Sequence, residues 1–525
     1  PPAQGPCVLG DMSPEEFRRF GREVVDWIAD YLAHPENHTV LSQVRPRYLK
    51  DELPRQAPAR GEAMADILAD IDRLITPGVT HWNHPAFFAY FDSSGSGPGI
   101  LGEMFAAAFN VNAMLWRTSP AATELEEVTL DWLRQMTGLS EAFSGVVYDT
   151  ASISTLCAIA AAREAVPGLR VRERGLAAAR QSGEQSSRAG ATGPASNPDP
   201  GYKFIEAAGD AASIGSAVRM RLYASEHAHS SIEKAAITLG LGQEAVRKIG
   251  TDRLFRLDPV ELEKAIDEDR AAGFVPFCVV ATVGTTSTTS IDPVPQIAEI
   301  CKRERLWLHV DAAYGGSAAV VPEMRWVLEG SDDADSVVIN PHKWLFVPLD
   351  LSVLYCKRMA VLRQAFSLVP EYLRTDAGDE VHNFMDYGPQ LGRRFRAIKL
   401  WFVLRYFGAE GLAARIREHI ALAHEFAEWV ALSPDFQLRA PVPFSNVCFR
   451  AQAMIAEPLL DSLNERLMEE VNRRGKIFLS HTKLGEKLTL RLAIGNIRTT
   501  RAHVKLAWDE LNAALALLKV EAGRG

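Results

Sequence analysis

Apolar residues recur at helical spacing near the start of the chain: Phe17, Phe20, Val24, Trp27, Ile28 and Tyr31. Ser13-Pro14-Glu15-Glu16 precedes them. Ser13 can cap, Pro14 suits the first helical position, and Glu16 can complete a capping box. The pattern predicts a helix whose apolar face is too broad for the N-terminal segment alone to bury. From about residue 97 the pattern changes to short, continuous apolar runs between helical stretches. Gly145–Tyr148, Arg219–Tyr223, Phe277–Thr282, Leu306–Asp311 and Ser336–Ile339 read as strands. Such runs predict an α/β fold with a mostly parallel sheet covered by helices on both faces. A helix is expected near 394–407. The β-rich runs Asn446–Phe449 and Leu488–Leu492, with helices on either side, suggest a small C-terminal α/β domain. Three units follow: a helical N-terminal segment (1–96), a large α/β domain (97–400) and the small domain (401–525). Residues 176–201, rich in Gly, Ser and Ala, read as a mobile surface insertion.

Composition narrows the function classes. The 525 residues are 47% hydrophobic and 23% charged, as in ordinary globular proteins, and are enough for a large core. A net charge of −9 without a basic stripe argues against a nucleic-acid partner. No apolar stretch approaches bilayer length, so no membrane partner is expected. The six cysteines are scattered without a CxxC pair, and the first residues lack the pattern of a secretory signal, so the expectation is reduced thiols in the cytoplasm.

The candidate chemistry centres on two places. Asp311 closes the run Leu306-Trp307-Leu308-His309-Val310, and Lys343 stands in Asn340-Pro341-His342-Lys343-Trp344. The interval, 343 − 311 = 32 residues, is about one βαβ unit. In a parallel sheet, ligands bind beyond the carboxyl ends of the strands, where Asp311 lies. An acid there and a lysine on a later turn suit pyridoxal 5′-phosphate (PLP). The amine can condense with its aldehyde, and the acid can keep its ring nitrogen protonated. Either residue alone reads more simply as a surface lysine or a strand-end cap. Thr150-Ala151-Ser152, between a β-run and a helix, offers free N–H groups of the kind that hold phosphate.

The strings His309-Val-Asp-Ala-Ala-Tyr-Gly-Gly316 and Asn340–Trp344 resemble those of the group II PLP-dependent amino acid decarboxylases, in particular the aromatic-L-amino-acid decarboxylase branch. His84–Phe91, Ser119–Glu126, Ala228–Ser231, Gly284–Ser287 and Leu391–Arg396 extend the resemblance over most of the chain. It implies the type I fold of PLP-dependent transferases (aspartate aminotransferase-like). It also implies a homodimer, formed partly by the N-terminal segment, with a shared active site. Lys343, His229, Tyr372 and Asp311 take the catalytic positions. Thr150, Ala151, Ser152, His229, Thr286, Asp311, Ala313, Asn340, His342 and Lys343 take the cofactor positions. Trp82, Tyr90, Phe91, Asp92, Ser93, Asn112 and Met114 fall in the substrate region, Met114 and Trp116 on a segment contributed by the partner subunit. The matching histidine stacks on the cofactor ring, and the matching tyrosine, on a catalytic loop, returns a proton to the α-carbon.

The resemblance implies decarboxylation of an aromatic L-amino acid to its amine and carbon dioxide. Two departures bear on the substrate. Asp92 replaces a usual proline, and Asn112 replaces an apolar residue. A carboxylate at 92 could favour a hydroxylated ring, an imidazole or a second amine. Alternatives are therefore a decarboxylase of histidine or another polar amino acid, or an aldehyde synthase that oxidatively deaminates after decarboxylation. The pairs His81/His84 and His227/His229 have no accompanying carboxylate or cysteine set, and no metal is expected. Ser94–Gly99 reads as a loop before a helix, and Arg393 and Arg394 as structural ion-pair partners.

Overall fold

The computed structural model describes residues 11–170, 218–368, 381–452 and 456–522. The expected insertion at 176–201 and Tyr372 lie outside them. Helix α1 (Pro14–Ala33) begins with the anticipated capping box, Ser13 with Glu16. It buries none of its residues, and Phe17 is 71% exposed. Helix α2 (Gly97–Phe109) follows the glycine-rich loop and is capped by Ser96. It leaves Leu101, Met104, Phe105 and Phe109 exposed along one stripe. Helix α3 (Pro120–Thr137) then leads into the sheet.

Seven strands form that sheet in the order β1-β7-β6-β5-β4-β2-β3. They are β1 (Ser144–Tyr148), β2 (Met220–Ser225), β3 (Val246–Ile249), β4 (Val275–Thr282), β5 (Trp307–Asp311), β6 (Ser336–Ile339) and β7 (Ser352–Cys356). The pairs β6–β5, β5–β4, β4–β2 and β2–β3 are parallel; β7 runs antiparallel to both β6 and β1. The sheet is thus mostly parallel, with β7 reversed because a short loop returns it beside β6.

Apolar packing fills both faces. Helix α4 (Ala151–Ala165) covers one, against Val146, Val280, Val338 and Leu354. Helices Pro259–Ala271 and Val294–Glu304 cover the other, with α3, against Leu308, Val310 and Val337. Helix α5 (Ala397–Leu432) begins in this second core, bends at Gly408 (φ +63°), and ends in the next unit. The position 400/401 drawn from the sequence lies inside it. The C-terminal unit holds a four-stranded antiparallel sheet in the order β10-β11-β9-β8. Its strands are β8 (Phe436–Leu438), β9 (Asn446–Ala451), β10 (Ser480–Leu484) and β11 (Lys487–Ala493). Helices α6 (Glu457–Arg473) and α7 (Arg501–Ala522) cover it. Ala86–Ala89, part of the N-terminal segment, are fully buried in this unit's core. Phe88 N–H donates to Phe478 O, and Ala493 N–H donates to Phe88 O.

Helices α2 and α5 meet at Gly102. A Cβ there would lie 2.7 Å from Lys399 Cα, a backbone atom that cannot swing aside. Gly102→Ala should therefore cost about 1–3 kcal/mol of stability through overpacking. A denaturant midpoint equal to wild type would refute the close approach.

Candidate active site

Asp311 ends β5 and is 5% exposed. Its Oδ1 accepts the Ala313 N–H at 3.1 Å. Ala313 O accepts the Asn340 N–H (3.1 Å), and Asn340 O accepts the Lys343 N–H (2.9 Å). This relay ties the end of β5 to the one-turn helix Pro341–Trp344 that follows β6. Two segments far apart in the chain are thereby held at one sheet edge. Burial holds the Lys343 ammonium below the ordinary lysine value, while the Asp311 carboxylate pulls the other way. Both charges also act on His229, which follows β2. Partial burial, then the charge of Lys343, hold the His229 imidazole below its usual value. Its Nδ1 accepts the Ser231 N–H (3.1 Å), so the neutral ring carries its proton on Nε2.

Aromatic stacking fixes the turn from behind. Trp344, fully buried, stacks on Tyr314 at 4.8 Å, and Tyr314 stacks on Phe91 at 4.0 Å. Trp344 Nε1–H donates to His419 Nδ1 (3.0 Å), and Tyr314 OH bonds Ser445 Oγ (2.6 Å). Lys343 Nζ lies 5.3 Å from the centre of the Phe91 ring. His342 is also an internal support. Leu351 N–H donates to its Nδ1 at 2.9 Å, and burial pushes its pKa down to about 3. The neutral ring then carries its proton on Nε2, 3.3 Å from the Asn340 side-chain amide. Turning that amide over gives its otherwise unpartnered buried oxygen this proton.

The residues present fit PLP. Among the described residues, the Ala313 N–H is the one hydrogen-bond donor to the Asp311 carboxylate, which leaves capacity for a ring N–H. Thr150 precedes α4, and its hydroxyl bonds Asp149 rather than capping the helix. Among the described residues no hydrogen bond is found for the N–H groups of Ala151 and Ser152, while Ile153 and Ser154 donate to Thr150 O. Two open N–H groups at the start of a 15-residue helix suit a phosphate.

Other anticipated residues are placed differently. Thr286 is exposed in the turn after β4. Trp82 (40% exposed) and Tyr90 (51%) stack on each other at 5.8 Å beside the Phe91 strip. Ser93 is half-buried. Asn112 and Met114 lie between α2 and α3. Asn112 Oδ1 accepts the Arg393 N–H (2.9 Å), its amide reaches Met114 Sδ (3.3 Å), and Met114 O accepts the Met385 N–H (3.1 Å). Arg393 and Arg394 form ion pairs with Glu126 and Glu103. Asp92 turns away from the cleft: its Cβ packs on Gly495, and it is 2% exposed. The idea that it reads a polar substrate group gains no support from this orientation.

Sequence reasoning missed Arg491. It is 4% exposed on β11 and has no carboxylate partner among the described residues. It donates to Ser287 O (3.0 Å), Ser480 Oγ (3.2 Å) and Tyr90 O (3.4 Å), and lies 5.2 Å from the Phe91 ring centre. Burial pushes its guanidinium pKa down. An arginine inside the apolar run Leu488–Leu492 was the available signal, since a strand so apolar has little reason to carry a buried cation.

Comparison with known proteins gives concordant results. The sequence profile described as "Pyridoxal-dependent decarboxylase conserved domain" matches residues 46–182 and 203–452. Tyrosine decarboxylase 4 of Petroselinum crispum is 40% identical over 518 residues, 96% of this chain and 94% of that protein. Aromatic-L-amino-acid decarboxylase of Sus scrofa is 39% identical, over 98% of this chain and 99% of its own. The solved structure of Oryza sativa TDC with PLP and tryptamine superposes with a TM-score of 0.86 at 34% identity, covering 97% of this chain and 100% of that one.

The orientation of Asp92 has a measurable consequence. Neither carboxylate oxygen makes a hydrogen bond of good geometry. Burial raises its pKa well above the usual value, against the opposing pull of Asn496, the Ser93 N–H and Arg498. The folded state therefore binds a proton that the unfolded chain releases near pH 4. The associated stability is complete at low pH and is lost as pH rises toward the folded pKa. Asp92→Asn removes this loss, so its advantage in unfolding free energy, measured by denaturant titration, should widen between pH 5 and pH 8, reaching about 1–3 kcal/mol. A gap independent of pH would contradict the assignment.

Proposed function

The chain belongs to the pyridoxal-dependent decarboxylase family, and on that premise we propose that the cleft around Lys343 converts an aromatic L-amino acid to its amine and carbon dioxide. The protein is a PLP-dependent carboxy-lyase. The observation that carries the site assignment is the relay joining Asp311 to the Lys343 turn through Ala313 and Asn340.

When bound, PLP supplies an electron-withdrawing ring that accepts the electron pair left as the carboxylate departs. The chain's own residues do the rest. Lys343, its ammonium destabilised by burial, keeps a larger neutral fraction to attack an aldehyde. Asp311 holds positive charge on the ring nitrogen. The start of α4 seats the phosphate through Ala151 and Ser152, with Thr150, Asn340 and His342 as neighbours. His229 presents a neutral Nε2–H beside Lys343 and can pack on the ring, with Ala313 on its other face. Arg491, a buried cation without an acid partner, suits the substrate carboxylate before cleavage. Trp82, Tyr90 and Phe91 offer an aromatic wall for a planar side chain. Tyr372 is retained as the residue that protonates the α-carbon, a role resting on the family motif.

We further propose a homodimer. The stripe Leu101, Met104, Phe105 and Phe109 and the wholly unburied α1 are apolar surfaces of the kind that association covers. In this arrangement Asn112 and Met114 belong to the partner's cleft. The described cysteines are all free and buried, which favours a reducing compartment such as the cytoplasm. Among the described residues no helix is long and apolar enough to cross a membrane.

Two experiments test this reading. Borohydride reduction of cofactor-loaded protein should attach the cofactor's mass to the peptide carrying Lys343. Lys343→Ala should lose that adduct and reduce turnover by about 10²–10⁴-fold, the scale for one catalytic group. Wild-type turnover in that variant would dismiss the lysine. Second, a panel of phenylalanine, tyrosine, dihydroxyphenylalanine, tryptophan and histidine should yield arylalkylamines and carbon dioxide in equal amounts. Stoichiometric aldehyde, ammonia and peroxide would instead mark an aldehyde synthase, and amine from histidine alone would displace the aromatic assignment.

A further inference from the structure

Alternation along β5 places Trp307, His309 and Asp311 on one face of the sheet, and Leu308 and Val310 on the other. Trp307 packs in the core under α4, whereas Leu308 and Val310 belong to the opposite core. His309 is fully buried, one pleat repeat below Asp311, about 6.6 Å along the strand. A core histidine held by one hydrogen bond would need no further account, but this one belongs to a chain with a defined direction.

The register neighbour of His309 on β6 is Ser336. Its hydroxyl lies 2.9 Å from both Trp307 Nε1 and His309 Nδ1. An indole N–H can only donate, so Ser336 Oγ accepts it. The geometry allows the single hydroxyl proton to be directed at His309 Nδ1, and we assign it there. Burial lowers the His309 pKa to about 4, so the ring is neutral near pH 7, and the Asp311 carboxylate is the first influence opposing that shift. A neutral ring that accepts at Nδ1 carries its proton on Nε2. That Nε2 is buried and has no hydrogen-bond partner among the described residues. A buried donor without a partner costs stability, so packing alone does not account for it.

We propose that His309 is a positioning residue for the cofactor's ring nitrogen: the relay Trp307–Ser336–His309 fixes a neutral imidazole, N–H on Nε2, beneath Asp311, and its dipole holds the Asp311 side chain opposite that nitrogen. His309 touches neither substrate nor cofactor and acts through Asp311. The inference rests on the proposed seating of PLP against Asp311, and it adds a second layer to that seat. The relay also requires a hydroxyl at 336, because alanine there would free His309 Nδ1 to take the proton and would remove the donor from Nε2.

The test uses holoenzyme loaded with PLP labelled with ¹⁵N in the ring. The ring ¹⁵N chemical shift reports protonation directly, and the cofactor dissociation constant is measured alongside by fluorescence titration. In wild type the shift should be that of a protonated ring nitrogen. His309→Phe should move it toward the unprotonated value and weaken cofactor binding roughly tenfold. His309→Gln, which keeps a side-chain N–H, should stay within about threefold of wild type. A His309→Phe protein matching wild type in both readouts overturns the proposal. So does a His309→Gln protein as displaced as His309→Phe, since only ring volume would then matter. If His309→Phe does not fold, Ser336→Ala decides: a displaced shift supports the relay, and an unmoved one refutes it. An unprotonated ring nitrogen in wild type would instead reject the Asp311 seat itself.

Discussion

The site depends on a short hydrogen-bonded path from the Asp311 carboxylate through Ala313 and Asn340 to the backbone of Lys343. Its members lie on two loops at neighbouring strand ends, where the parallel pairing of β5 and β6 brings both to one edge. Without the path, a buried carboxylate and a buried amine would each be free to relax toward water or toward each other. With it, the two charges stay close enough to influence one another and yet form no salt bridge. That separation is what a bound ring needs, since a direct ion pair would fill the space between them.

Rigidity behind the path comes from aromatic contact. Phe91, Tyr314, Trp344 and His419 form a stacked series from the cleft into the core. Phe91 belongs to a strip whose preceding residues are buried in the C-terminal unit, while Tyr314 and Trp344 belong to the large sheet. Three parts of the chain therefore meet within two ring widths of Lys343. Arg491 arrives from the same C-terminal sheet and bonds the strip through Tyr90 O. Any movement of that unit against the large one would be felt at Phe91 and Arg491 together.

Much of this was legible because buried parallel strands and motif turns leave strong local signals. The runs ending in Tyr148, Thr282, Asp311 and Ile339 are continuous and apolar, and each is a strand. β3 escaped notice because its Val-Arg-Lys-Ile is half polar, as suits an edge strand. β7 escaped because the sequence does not mark the reversal of a strand that begins right after the lysine turn. The long helix α5 shows why unit boundaries are hard to draw: its apolar pattern continues from one core into another. Position 92 is the clearest case of information that sequence lacks. A carboxylate next to Phe91 invites a reading as a substrate contact, yet the backbone bends here, with Tyr90 left-handed (φ +54°), and neighbouring side chains point to different sides. Phe91 takes the face toward Lys343, and Asp92 takes the face toward Gly495.

This arrangement relocates the question of specificity. With Asp92 turned inward, the anticipated substrate-region residues that remain beside Lys343 among the described residues include Phe91, with Trp82 and Tyr90 stacked next to it. Trp82 and Tyr90 are also the most exposed members of the strip, open on the side that an adjoining subunit would close. Asn112, the other departure, commits its oxygen to the Arg393 backbone and its amide to Met114. Its polarity is thus used to shape the segment 112–116 rather than offered to a ligand. Both substitutions that suggested a polar substrate are satisfied or sequestered within the fold. The chemistry at Lys343 would treat any α-amino acid alike, so the choice among them falls to the groups that surround the cleft rather than to the lysine.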